Sequence, residues 1–184
     1  MKYFDFPGKD NTEKTRDLVI KYAKENNMKY LVIASNSGET LDLFLDSGLE
    51  LICVTHQIGF REPGHDEMEA KKREEYKKLG VKVLTTTHLM GGIERAALRK
   101  SGGNGIQSIT AQTLRMFGQG TKVCVEIATM ALDAGMIPYG EDIIAVGGSG
   151  RGADTAWVLR PEHSHKFYDT QIKELICKPK ELKK

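Results

Sequence analysis

Tyr30-Leu31-Val32-Ile33-Ala34-Ser35-Asn36-Ser37-Gly38-Glu39-Thr40-Leu41-Asp42-Leu43-Phe44-Leu45 passes from an unbroken apolar run, through a short polar loop, into helical apolar spacing. An apolar run without alternation reads as a strand buried on both faces, as in a parallel sheet. The loop Ser35-Asn36-Ser37-Gly38-Glu39-Thr40 therefore lies at a strand's carboxyl end and a helix's amino end. Free backbone N–H groups and the helix dipole favour an anion at such a place. Two serines and a threonine add hydroxyl donors, and Gly38 lets the backbone approach closely. The same residues also suit an ordinary Ser/Gly-rich turn with a Ser or Thr helix cap.

Outward from this loop, strands and helices alternate. Upstream, Asp10 with Glu13 three residues later makes a capping-box-like start, and Leu18, Val19, Tyr22 and Ala23 recur at helical spacing toward Asn27. Downstream, Glu50-Leu51-Ile52-Cys53-Val54-Thr55 reads as a second strand. A polar loop with Gly59, Pro63 and Gly64 leads to a charged helix over 67–79, and 81–86 read as a third strand. Glycine pairs bracket a short helix carrying Ile93, Ala96, Ala97 and Leu98, and 108–117 read as another. Val123, Ile127, Met130, Ala131 and Ala134 line one face of a longer helix ended by Gly135 and Pro138. Ile143 to Val146 and Ala156 to Leu159 are strands, and 171–177 read as a final strand or short helix. This alternation predicts an α/β fold with a largely parallel sheet covered on both faces. No linker divides residues 1–184, so a single domain is expected.

Composition narrows the function. Charged residues make up 28% of the chain and hydrophobic ones 40%, with a net charge of +2. That balance gives no case for a nucleic-acid groove or an acidic-membrane surface. Cys53, Cys124 and Cys177 are far apart and form no CxxC pair, which argues against structural zinc and disulfides and for a reducing, cytoplasmic setting. Met1-Lys2-Tyr3-Phe4-Asp5-Phe6-Pro7-Gly8 lacks the apolar core of a signal peptide, and Lys178, Lys180, Lys183 and Lys184 read as a frayed tail.

A second glycine loop follows the strand ending at Val146: Gly147-Gly148-Ser149-Gly150-Arg151-Gly152-Ala153-Asp154-Thr155. Its G-x-G-x-x-A spacing does not open a helix, so it is not a dinucleotide fingerprint. Gly59 and Gly64 have triphosphate-loop spacing, but His65-Asp66 stand where Lys and Ser/Thr are needed. The loop is either a flexible hairpin or a backbone concavity for an anion, with Arg151 adding a bidentate charge.

Two patches carry a resemblance. The strand followed by S-x-S-G-x-T at 35–40 resembles the effector phosphate loop of the carboxy-terminal domain of pyruvate kinases. Ile137-Pro138-Tyr139-Gly140-Glu141-Asp142 through Gly148, with the glycine loop and Asp154-Thr155-Ala156-Trp157-Val158-Leu159, resembles that domain's last hairpin. The chain looks like the stand-alone, mainly archaeal relatives of this domain. The resemblance implies an α/β/α sandwich with a five-stranded sheet, order 3-2-1-4-5, and the last strand antiparallel. It implies no pyruvate kinase activity, since that active site sits on a (β/α)8 barrel of about 250 residues. It also implies a homo-oligomer, most simply a dimer, and an antiparallel edge strand would need cover. Residues 88–121 have no counterpart in the resemblance.

With that strand order, both loops rim the crevice at a topological switch point. The candidate ligand contacts are Ser35, Asn36, Ser37, Gly38, Glu39, Thr40, Thr55, His56, Gly147, Gly148, Ser149, Gly150, Arg151 and Asp154. The ligand expected is a phosphorylated small molecule, and the relatives point to flavin mononucleotide (FMN), its phosphate at 35–40 and its flat ring in the crevice. His56 and His88 are candidate acid/base residues if the protein is instead a flavin- or sugar-phosphate-dependent enzyme. A regulatory or oligomerisation module with a vestigial pocket is a third possibility. His163 and His165 lack a third metal ligand, so no metal site is expected.

Overall fold

The structure, a computed structural model, describes residues 1–182. Its elements in chain order are β1 (Lys2–Phe4), α1 (Thr12–Glu25), β2 (Tyr30–Ala34), α2 (Glu39–Asp42) and β3 (Glu50–Thr55). There follow α3 (Ala70–Lys78), β4 (Lys82–Thr85), α4 (Gly92–Ser101), α5 (Ile106–Arg115) and α6 (Gln119–Asp133). The chain closes with β5 (Ile143–Gly147), β6 (Thr155–Arg160) and β7 (Gln171–Pro179).

One seven-stranded sheet has the order β1-β7-β6-β5-β2-β3-β4. Its inner part, β4-β3-β2-β5-β6, is the order the resemblance implies, and β6 runs antiparallel to β5. The strand count is larger than expected because 171–179 form a full strand and Lys2–Phe4 add a short one. Strand β6 is consequently interior, not an edge. The edges are β1 and β4, only 3 and 4 residues long, which by themselves need little cover. Lys178 belongs to β7 and Lys180 N–H donates to the Phe4 carbonyl, so the tail is tied down at least that far; Lys183 and Lys184 lie outside the described residues.

Alternation along each strand sorts the core into two layers. Leu31, Ile33, Cys53, Ile144 and Val146 face α1, α2 and α3, meeting Val19, Leu41, Phe44 and Tyr76. Val32, Ile52, Val54, Ile143 and Ala145 face α6, meeting Cys124, Ile127, Ala128 and Ala131. Ala134, expected on the core face, is exposed because α6 stops one residue earlier, at Asp133. All three cysteines are buried, and burial pushes the Cys53 and Cys177 thiols up to about 12. Trp157 Nε1 donates to Thr121 Oγ1 at 3.0 Å, tying β6 to α6. Among the described residues no helix is long and apolar enough to cross a membrane.

Several boundaries differ from the local pattern because distant groups decide them. The cap position of α1 falls on Asn11 rather than Asp10, because a 3-10 turn over Lys9–Asn11 runs into α1 at Thr12. Helix α2 closes after one turn, so it offers no long-helix dipole to the loop before it. Helix α5 begins at Ile106 because Glu94, on α4, accepts from the backbone N–H groups of Gln107 (3.2 Å) and Ser108 (2.8 Å). A carboxylate from a neighbouring helix thus caps a start whose own N-cap, Gly105, has no side chain.

Candidate functional site

Register brings the loops together. Ile33 lies opposite both Cys53 and Val146, and Thr55 opposite Thr85, so β2, β3, β4 and β5 end level at one edge. A cleft of about 750 Å³ opens there, within the range of small-ligand sites. Ser35, Asn36, Ser37, Glu39 and Thr40 line it from β2; Thr55, His56 and His88 line it from β3 and β4. Gly148, Gly150 and Arg151 line it from β5. The sequence-selected residues outside the lining are Gly38, Gly147, Ser149 and Asp154.

Those four shape the loops instead. Gly38 has φ +94° and is packed so that a Cβ would run into the Tyr76 hydroxyl. That hydroxyl lies 3.1 Å from the Gly38 carbonyl and donates to Asp42 at 2.5 Å. Gly147 abuts Gly120 and Val123 of α6. Asp154 is fully buried, where its carboxylate accepts from the N–H groups of Gly8 and Ser149 and from the Thr155 hydroxyl. It is the internal anchor of the glycine loop. On the other side Thr12 Oγ1 accepts from Ala153 N–H, and only glycine at 152, with φ +69°, lets Thr12 approach.

With the loops held this way, the backbone N–H groups of 36–40 donate to no described acceptor. The Ser37 and Thr40 hydroxyls and the Arg151 guanidinium likewise have no partner among the described residues. Successive unpaired amides around a left-handed residue make an anion-binding concavity. The one-turn α2 contributes little; the donors themselves are the feature.

His56 sits in a closed network. Its backbone N–H donates to Asn36 Oδ1 (2.9 Å), which turns the Asn36 amide nitrogen toward His56 Nε2 (3.2 Å). The network thereby assigns Nε2 as acceptor and Nδ1–H as donor to Glu67 (2.6 Å), whose other oxygen meets Arg61 at 3.1 Å. Phe60 stacks on the imidazole with ring centroids 3.9 Å apart. His88 is different. Its Nε2 faces the Thr55 carbonyl at 3.4 Å, which leaves Nδ1 as an unpartnered lone pair in the cleft. Burial holds His88 below its usual pKa, with Glu126 opposing and His56 adding to the effect, so it is neutral at pH 7. His163, away from the cleft, pairs with Asp133 at 2.8 Å.

Sequence patterns did not point to Phe60, Glu67, Arg95, Arg115, Lys122 or Glu126, which also line the cleft. Glu67 was expected inside a helix, but α3 starts only at Ala70 and leaves it free to reach His56. Asp66 straps this segment to α3 through two bonds to Arg73, each 2.9 Å. The Arg73 bonds hold the Asp66 carboxyl below its ordinary range, so its stabilisation is full above the unfolded carboxylate pKa of about 3.9 and is lost as pH falls through the lower folded value. Thermal melts should show the wild type losing more stability than Asp66→Asn on acidification from about pH 5 to pH 2. Parallel curves would remove this strap.

The family model described as the pyruvate kinase alpha/beta domain matches residues 13–159. Strands β1 and β7 fall outside that span. Two Cryptosporidium parvum pyruvate kinase structures are similar at 15% identity. One covers 74% of this chain with a TM-score of 0.38; the other, in complex with ADP, covers 81% with a TM-score of 0.41. The chain spans only 20% and 23% of those two kinases. It belongs to the pyruvate kinase alpha/beta domain family.

Proposed function

We propose that this protein binds a phosphorylated small molecule in the cleft at the strand carboxyl ends and has no pyruvate kinase activity of its own. The supporting observation is the run of five unpaired N–H groups at 36–40, joined by the Ser37 and Thr40 hydroxyls and Arg151. FMN is the proposed ligand. Its phosphate suits these donors, and its flat ring suits the aromatic surface of His56 and Phe60. After incubation with FMN and desalting, flavin absorbance should remain with the protein. Riboflavin should be retained poorly, and Arg151→Ala should weaken FMN about tenfold, measured by flavin fluorescence. Equal retention of riboflavin would remove the phosphate from the reading.

A second reading, a flavin- or sugar-phosphate-dependent enzyme, is favoured by the neutral His88 with its free Nδ1. His56, with both ring nitrogens engaged, is the weaker acid/base candidate. We also propose a homodimer. Ile93, Ile106 and Met116, on or just past α4 and α5, are 90%, 71% and 74% exposed, apolar side chains that a second copy would cover. Light scattering at micromolar concentration should give twice the chain mass, and a monomer mass would reject the dimer.

A further inference from the structure

Between residues 76 and 125 the chain has eight Lys and Arg but one carboxylate, Glu94. Glu94 is occupied with the amino end of α5, as its two oxygens accept from Gln107 and Ser108. Arg95 of α4 and Arg115 of α5 turn into the cleft without a carboxylate partner among the described residues. Arg95 lies over the Phe60 ring, 5.8 Å from its centroid. Arg115 Nε donates to Gln119 Oε1 at 2.7 Å, which aims the guanidinium without neutralising it.

Behind them lies Lys122, buried and ion-paired with Glu126 one turn along α6. Burial lowers the Lys122 pKa; Glu126 opposes this, while Arg115 and Arg95 lower it further. All three cations line the cleft, and Arg95 and Arg115 also line one smaller pocket beside it. Gathered like charges repel, and a bound anion relieves that repulsion. These residues stand on the α6 face of the sheet, whereas 35–40 lead into α2 on the other face. Both groups line the same cleft.

We propose that Arg95 and Arg115, backed by Lys122, form a second anion subsite facing the one at 36–40 and Arg151. The ligand then carries negative charge or acceptor oxygens at both ends, a phosphate at the first and a phosphate, carboxylate or carbonyl edge at the second. This inference rests on the phosphate-binding reading given above. FMN would meet the second subsite with its ring carbonyls, and a sugar bisphosphate with its second phosphate.

Calorimetry with ribulose 1,5-bisphosphate, ribose 5-phosphate and FMN tests the idea on the wild type, the Arg95→Ala/Arg115→Ala double variant and Ser37→Asp. The wild type should bind the bisphosphate at least about tenfold tighter than the monophosphate, and the double variant should bind the two alike. Thermal melts should confirm that the double variant is folded, since neither arginine is buried. If FMN weakens in the double variant as the bisphosphate does, its ring edge is the second acceptor. If FMN is unaffected while the bisphosphate weakens, the second group is a full anion. A bisphosphate preference that is absent, or that survives loss of both arginines, overturns the second subsite. Undiminished ribose 5-phosphate binding by Ser37→Asp would instead overturn the first, so the two failures are distinguishable.

Discussion

Ser37→Asp is expected to reduce binding of any phosphorylated ligand a hundredfold or more while leaving the fold intact. Ser37 is exposed and bonded to no described residue, and its N–H is the second of five consecutive backbone N–H groups that have no acceptor. A carboxylate introduced there would itself accept from those amides and fill the concavity from within. It would also set a like charge against an incoming phosphate and remove a hydroxyl donor. Charge-assisted bonds of about 1.5–3 kcal/mol each make a loss of about 3 kcal/mol, or a hundredfold, a modest expectation. An exposed loop position carries little stability, so the thermal midpoint should barely move. Calorimetry with FMN and with inorganic phosphate measures the effect, and unchanged affinity for both would place the site elsewhere.

The largest stability effect is expected at Glu126→Ala. Glu126 Oε1 accepts from Met90 N–H at 2.7 Å and its other oxygen pairs with Lys122; the two side chains are 4% and 6% exposed. Removing the carboxylate leaves a buried ammonium unpaired and a buried amide without its acceptor. Breaking one partner of such a pair costs about 3–5 kcal/mol, readable as a lower urea midpoint. The pH dependence has a definite sign. Burial already depresses Lys122, and losing Glu126 lets it fall further. A base whose folded pKa lies below its unfolded one loses stability as pH falls, so the variant should recover partly as pH rises. Replacing both residues together, as Lys122→Met with Glu126→Leu, should cost less than Glu126→Ala alone, because no lone charge remains. A double variant as unstable as the single one would show that the Met90 contact dominates.

Local order was legible wherever one residue's neighbours in sequence are also its neighbours in space. The run 30–34 could only be a strand buried on both faces, and its polar successor could only be a loop at a strand's carboxyl end. Together with the matching runs at 50–55 and 143–147, this determined the parallel core of the sheet and the edge at which the two glycine-bearing loops meet. The charge imbalance of residues 76–125 was also present in the sequence, but a count of charges does not say which way a side chain turns.

Tertiary structure decided the rest, because the deciding partners are far apart along the chain. Strand β7 is a strand because β6 and β1 pair with it on either side, and that pairing moves β6 from an edge to the interior. Asp154 serves the fold because the Gly8 and Ser149 amides close on its buried carboxylate. Glu67 leaves the helix expected for it because His56, eleven residues earlier, offers an N–H at 2.6 Å. Arg115 reaches the cleft because α5 packs on α6, and Arg95 because Glu94 fastens α4 to the amino end of α5. Periodicity records which face of an element is apolar. Which polar groups converge on one cleft is settled only when the elements pack, since a buried polar group takes the partner nearest in space.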